Sequence, residues 1–126
     1  MAGKSVHDDM LDGALNIIKN NATRICVCST QPTTYTEAIT TYMLAIKTIS
    51  SGDFTGPANG DTNGRKLTSN QHTAISVTNG GNAQHVAFGD SANSKLLLVT
   101  TCTAQELTAG NTVTIPTFKD EIADPS

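Results

Sequence analysis

The chain has 126 residues, a length that fits one domain able to bury a hydrophobic core of its own. Its eight basic residues are scattered and its net charge at pH 7 is −3, which excludes the basic patch that a nucleic-acid interface requires. The longest apolar run, Leu96 to Val99, is far too short to span a bilayer, and residues 1–9 lack the apolar core of a secretion signal. We therefore expect neither nucleic acid nor membrane as a partner, and folding in a cytoplasm.

The polar part of the composition favours β structure. Hydrophobic residues make up 37% of the chain and charged residues 15%, so uncharged polar residues carry much of the surface, among them twenty threonines. Threonine is β-branched and favours strands. Uncharged polar surfaces of this kind are common on proteins that contact other proteins, although an ordinary polar β surface explains them equally well.

The first predicted element is an amphipathic helix over residues 6–20, after a loose arm at residues 1–4. Ser5 followed by Asp8 resembles a capping box, and Asn20 with Asn21 suits a helix end. Apolar residues recur along one face at helical spacing: Val6, Met10, Leu11, Ala14, Leu15 and Ile18. We expect this face to pack on the chain's own sheet; docking on a partner helix is the alternative.

Two further strands are predicted before residue 50. Residues 24–30 form the clearer one, which Pro32 ends because proline cannot donate to a β ladder. Residues 33–38 are predicted as a loop with at most one helical turn. Residues 39–49 fit both helical spacing and strand alternation, and their threonines favour a strand over 41–49.

Residues 50–64 are predicted as a loop because they contain four glycines, a proline and several Asx residues. Residues 53–55 are the one short strand expected within it. Asp61-Thr62-Asn63 resembles the start of a calcium-binding loop, but the glutamate that completes that pattern is absent, so we expect no metal there.

The longest regular pattern runs from Gly64 to Ile115, where short strands alternate with turn residues. The predicted strands cover residues 65–68, 73–78, 84–88, 95–101 and 111–115. Strands at such regular spacing indicate an antiparallel sandwich or barrel. The predicted fold is therefore mainly β, an antiparallel β-sandwich or barrel-like (jelly-roll-like) unit over residues 24–118 with one N-terminal helix. Residues 119–126 are predicted as a short acidic tail, either frayed or bound to a neighbour.

The residues capable of chemistry form no complete catalytic pattern. Cys26, Cys28 and Cys102 are expected to be buried thiols, with a bridge between Cys102 and one of the others as the alternative. A pair of Cys28 with His85 is conceivable as a nucleophile and base, but no orienting acid or oxyanion site accompanies it in the sequence. We expect no enzymatic activity and no cofactor.

Four segments resemble a group of small virion proteins encoded by tailed bacteriophages and their prophages. These segments are residues 7–15 (HDDMLDGAL), 28–35 (CSTQPTTY), 60–66 (GDTNGRK) and 120–125 (DEIADP). Together with the sequence between them, the resemblance covers most of the chain. It identifies a lineage and contains no catalytic motif.

The resemblance implies a structural role in the virion. The expected function is that of a cement or decoration protein on the capsid exterior, which binds the major capsid protein and is assembled in the host cytoplasm. A tail, neck or head-fibre component is the alternative, and so is a host-surface binder that uses residues 50–64. If the chain forms dimers or trimers, the apolar residues expected to be exposed and then buried as interface anchors are Tyr35, Phe54, Phe118 and Ile122.

Overall fold

The computed structural model describes residues 5–124 and shows a mainly β architecture with one N-terminal helix. The predicted arm at residues 1–4 and the end of the predicted tail at residues 125–126 lie outside the described residues. The helix is α1 (Asp8–Asn21), and the strands are β1 (Arg24–Cys28), β2 (Met43–Thr48), β3 (Phe54–Asn59), β4 (Arg65–Ser69), β5 (His72–Ser76), β6 (Gly81–Asp90), β7 (Lys95–Leu107), β8 (Thr112–Ile115) and β9 (Phe118–Ile122).

The strands form three antiparallel sheets. The largest has the order β2-β1-β6-β7, the second the order β3-β4-β9, and β5 pairs with β8. A bridge between Ala45 and Val77 connects the main sheet to the β5–β8 pair. The predicted class, a mainly β and sandwich-like fold with one N-terminal helix, is confirmed.

Both faces of the main sheet are covered at its inner strand β1, where apolar residues occupy both sides of the strand. Ile25 and Val27 contribute to the principal core, which lies between the sheets. Cys26 and Cys28 point the other way, into a smaller cluster that includes Ala38. A π-helical turn, Glu37–Thr41, contributes to the cover of that second cluster. Consecutive apolar residues in β1 are what this two-sided burial requires.

Helix α1 packs against β3, β4 and β6, so the expectation that it packs on the chain's own sheet is confirmed. Leu11 and Leu15 are its buried residues. Its N-cap is His7, whose Nδ1 accepts a hydrogen bond from the Asp9 backbone N–H at 3.0 Å. The predicted Ser5–Asp8 capping box is therefore wrong, because the helix begins two residues later than expected. Met10, predicted on the packed face, is 70% exposed.

The predicted strand at residues 41–49 is confirmed as β2, whereas the predicted loop at residues 50–64 is largely regular. It contains a 3₁₀ turn and the six-residue strand β3, which pairs with β4. Asp61 accepts hydrogen bonds from the ammonium groups of Lys66 at 2.7 Å and Lys119 at 2.6 Å. These two cations lower the pKa of Asp61 to about 2. The aspartate of the calcium-like triplet thus serves as an ion-pair partner.

The predicted tail is wrong for residues 119–122, which together with Phe118 form strand β9 on the edge of the second sheet. All five residues of β9 pair with β4, from Ser69 opposite Phe118 to Arg65 opposite Ile122. The sequence signal was weak because β9 alternates apolar residues with charged ones over only five positions. The β6–β7 hairpin is likewise longer than predicted, since Gly81 and Asn82, expected in a turn, belong to β6.

Candidate protein interface

A groove runs between α1 and the two strands β7 and β9. It encloses about 430 Å³ and is mostly apolar. Its lining residues are Ala14, Leu15, Ile17 and Ile18 from α1, Leu97 and Leu98 from β7, and Lys119, Asp120, Glu121 and Ile122 from β9. An elongated apolar depression of this kind is a common site for a segment of another protein.

The sheet topology explains why the groove exists. Within residues 5–124, β7 pairs with β6 alone and β9 pairs with β4 alone, so each strand keeps one unpaired edge. The two edges flank the same side of the sandwich, where the main and second sheets are not joined by hydrogen bonds. Unpaired strand edges carry free backbone donors and acceptors that another chain can bind. We call this side of the molecule, between the unpaired edges of β7 and β9, the open seam.

The seam continues beyond the groove. A second cavity of about 320 Å³ lies between β7 and residues 115–119, with Val86 and Phe118 in its wall. A third, of about 230 Å³, lies between the far end of β7 and β8. The three cavities border β7 over residues 97–105. Most of the long edge strand therefore has incomplete packing on this side.

Strand β9 brings two of the sequence-predicted interface residues to the seam. In its register, Asp120 lies opposite Leu67 and Phe118 opposite Ser69, and both of those β4 residues are fully buried. Directly opposed residues share one face of a sheet. Phe118, Asp120 and Ile122 therefore face inward, and the first and last of these are half-buried at the edge of the core.

Asp120 is the unusual member of that inward face. Its Oδ2 atom is buried and has no hydrogen-bond partner among the described residues. Desolvation raises the pKa of this carboxyl to about 6, from an ordinary value of 3.8. At neutral pH the group still carries a charge, in the wall of an otherwise apolar groove. A carboxylate in this position is stabilised if a cation is brought to it.

The other two predicted interface residues lie elsewhere. Tyr35 is half-buried against the outer side of the main sheet, where a Cβ on Gly89 would lie 2.9 Å from its Cε1 atom. Phe54 was predicted to be exposed, and this is wrong: it is only 5% exposed and meets Phe88 edge to face, with ring centroids 5.3 Å apart. Phe118 stacks on the same ring at 5.7 Å.

Cys28, the thiol considered as a nucleophile with His85, is buried and donates to a backbone carbonyl. Cys26, Cys28 and Cys102 are free, and burial raises the pKa of Cys28 to about 11. The β1–β6 register places Cys28 opposite His85, but the Cys28 Sγ lies 3.5 Å from the Ala38 carbonyl oxygen, to which it donates. A thiol held protonated in this way is a poor nucleophile. The part of the chain that the structure describes contains no group of three or more metal-ligating side chains.

Sequence reasoning missed the groove residues Leu97, Leu98 and Asp120. The sequence predicts the leucines of β7 only as part of a strand, and Asp120 only as part of a tail that is either frayed or bound to a neighbour. Its position between Phe118 and Ile122 was the available signal, because period-two alternation puts all three on one face once the segment is a strand. Only the pairing with β4 establishes that it is one.

Comparisons with protein-family models, with curated proteins and with solved structures found no match to this chain. No helix among residues 5–124 is long and apolar enough to cross a membrane.

Proposed function

We propose that the chain is a structural protein of a tailed-bacteriophage virion, a cement protein on the capsid exterior that stabilises the head by binding the major capsid protein. The resemblance of four sequence segments supports the virion assignment. The observation that carries the binding role is the open seam between β7 and β9 with its apolar groove. In this proposal the protein acts through binding and performs no catalysis.

The seam suits an extended segment of a neighbouring subunit. Such a segment pairs its backbone with the free edge of β7 or β9 and places alternate side chains in the groove, which is the usual mode of strand addition. Leu97, Leu98 and Ile122 supply the apolar contacts. Repetition over many symmetry-related sites on a capsid makes even a modest single contact effective.

The side chain of Asp120 indicates which kind of residue the partner segment should contain. Its carboxylate has a buried oxygen without a partner, and an apolar wall weakens screening by water. A lysine or arginine from the partner compensates this charge on binding. The expected ligand is therefore an extended, apolar segment with one basic side chain that reaches Asp120.

The direct test compares Asp120→Asn with the matched control Asp124→Asn in binding to capsids that lack the protein. Both changes replace one carboxylate by an amide, but Asp120 lines the groove, whereas Asp124 is exposed and is not among the residues that line it. We expect the Asp120 variant to bind about tenfold more weakly, the effect of losing one charge-assisted contact, and the control to bind like the unmodified chain. Equal binding by both variants would contradict the groove assignment.

The position in the virion is tested separately, by reconstruction of phage particles whose genome encodes the chain. A cement protein occupies sites over the whole head, whereas a tail, neck or fibre component forms a single ring or tip. Density at one vertex or on the tail would replace the cement assignment with that alternative.

A further inference from the structure

Two short connections join the second sheet to the β5–β8 pair. The first runs from Ser69, the last residue of β4, to His72, the first residue of β5, and the second runs from Ile115 of β8 to Phe118 of β9. Ser69 lies opposite Phe118 and His72 lies opposite Ile115, so the strand pairing is interrupted over two residues of each connection. We call these two connections the joint.

Two buried polar side chains flank the interruption on the first connection. Ser69 is 0% exposed and His72 is 2% exposed. The Ser69 Oγ and His72 Nε2 atoms have no hydrogen-bond partner among the described residues. His72 shares the inward face of the β5–β8 pair with Ile115, which belongs to the principal core. Because buried polar groups in folded proteins nearly always have a partner, two without one at the same joint require an explanation.

The backbone of β5 next to the joint is strained. The β5–β8 register shifts between His72 and Ile75, and Ala74 within this irregularity has a φ angle of 55°. This is the left-handed region, which residues other than glycine rarely adopt. Such strain persists only where the surrounding packing holds it, and it is often found in segments that switch between conformations. The attachment of β5 therefore depends on its buried side chains.

We infer that the joint is a pH-sensitive switch, in which protonation of His72 opens the β5–β8 pair while the main sheet stays folded. A protonated imidazole carries a positive charge and donates hydrogen bonds from both ring nitrogens. The closed joint gives this ring almost no contact with water and gives Nε2 no acceptor among the described residues. Opening of the pair brings the charged ring into water, whereas the neutral ring is the form that burial favours.

The charges around His72 do not compensate an imidazolium. Lys47 of β2 opposes the charge, and Asp53 of the 3₁₀ turn favours it, although the Asp53 carboxylate already accepts a hydrogen bond from the Ser50 N–H at 2.9 Å. Strands β3 and β8 carry no charged residue. Burial therefore lowers the pKa of His72, and Lys47 acts in the same direction. The cations of β4, which lie at its other end with carboxylate partners of their own, are Arg65 and Lys66.

Acid should open the joint, because the folded chain holds the pKa of His72 below its ordinary value of 6.5. The stabilisation from the neutral ring is fully present above pH 6.5 and is lost progressively as the pH falls below that value. Asp120 acts with the opposite sign, since its raised pKa makes protonation favourable to the fold. Strand β8 also lines the cavity of about 230 Å³ in the open seam, but the switch does not depend on the proposed capsid contact.

Hydrogen exchange of the folded chain near pH 8 and near pH 5 tests the inference. At the lower pH we expect the backbone amides of β5 and β8 to lose about tenfold in protection relative to those of β1 and β6, after correction for the intrinsic pH dependence of exchange. The main sheet in the same sample is the reference, so a change in global stability does not affect the comparison. Equal changes in both regions, or no change in either, overturn the inference.

Replacement of each histidine assigns the effect to one side chain. In His72→Phe the ring cannot be charged, so β5 and β8 should keep the same relative protection at both pH values. The other two histidines are replaced in His7→Asn and His85→Gln, and in these controls the loss in acid should remain.

A loss of protection that persists in His72→Phe, or that disappears in His85→Gln, overturns the inference. His72→Gln, which is also uncharged, serves where His72→Phe does not fold. The unmodified chain and the two control variants decide the question where neither replacement folds, because the selective loss in β5 and β8 must then appear in all three.

Discussion

The residue that most affects the interpretation of this molecule is Asp120. A carboxyl on the inward face of an edge strand loses water without gaining a hydrogen bond for its buried oxygen. Groups with this combination of burial and missing partners are often found at functional sites. The interface assignment of β9 therefore depends more on this carboxylate than on its two apolar neighbours.

Asp120 predicts how stability changes with pH. Its pKa is about 6 in the folded chain and near its ordinary 3.8 when unfolded. The folded state thus favours the protonated form, so this contribution to stability is present below pH 3.8 and is lost as the pH rises through about 6. Asp120→Asn should raise the free energy of unfolding by about 1 kcal/mol near pH 8, after allowance for partial solvent access, and change it little near pH 4.

Chemical denaturation at the two pH values measures this difference. Asp124→Asn is the control, because Asp124 is exposed and lies outside the groove. A gain for Asp120→Asn that is equal at both pH values would mean that desolvation of the carboxylate is not its cause. Asp120→Asn should therefore fold more stably but bind capsids more weakly. These opposite changes separate the effect of the carboxylate on stability from its effect on binding.

At the scale of elements, α1 shows how tertiary contacts select one of two apolar faces. The periodicity of Val6, Met10, Leu11, Ala14, Leu15 and Ile18 suggested a single stripe, whereas Met10 and Ala14 lie outside the contact with the sheet. Leu11 and Leu15 are buried instead, and Asp12 makes a salt bridge with Arg65 of β4 at 2.7 Å. Helical spacing alone does not distinguish these rotations, because both faces carry apolar residues.

Gly13→Ala tests whether the fold needs the glycine in the middle of α1. No atom lies close enough to oppose a methyl group, so we expect the helix propensity of alanine to raise the free energy of unfolding by up to about 1 kcal/mol. Thermal unfolding measures this gain.

A bulkier change at the same position tests the free space further. Gly13→Leu should also keep or raise the stability of the chain, because no described atom lies within 4 Å of a Cβ built there. Loss of stability in either variant would show that Gly13 is needed by the fold itself, which the free space around it argues against.

At the scale of the whole molecule, three phenylalanines connect the two larger sheets. Phe88 comes from the main sheet, and Phe54 and Phe118 come from the second sheet, each with its ring against that of Phe88. Such aromatic contacts add to the free energy gained by burying the rings. This cluster holds the sandwich together near the seam, where the sheets share no backbone hydrogen bonds.

Phe54→Ala tests the correction of Phe54 from interface residue to core residue. Truncation of a buried phenylalanine leaves a cavity, so we expect the free energy of unfolding to fall by about 3 kcal/mol or more. Tyr35→Ala, at a half-buried position outside this core, should cost clearly less. Denaturant unfolding monitored by circular dichroism distinguishes the two, and a small loss for Phe54→Ala would restore it as an interface candidate.

Local pattern alone determined much of the fold: the helix, the strands β1, β4, β5, β7 and β8, and the mainly β class. These follow from side-chain periodicity and turn residues, which act between near neighbours in the chain. The same information did not identify β9, or a strand as long as β3, because glycine, proline and charged residues weaken the local preference there. Both segments pair with β4, one on each of its edges, and this pairing holds them extended despite their weak local preference for a strand.

The tertiary structure decided which surfaces are candidates for an interface. Contacts between residues far apart in the chain decide which side of α1 meets the sheet, whether Phe54 is buried and whether Asp120 faces water. The open seam is a property of topology, since it arises where β7 and β9 end their sheets without pairing. The sequence by itself determined a polar β scaffold without a catalytic motif. The folded chain decided which apolar residues remain at the surface, because burial depends on which elements pack together.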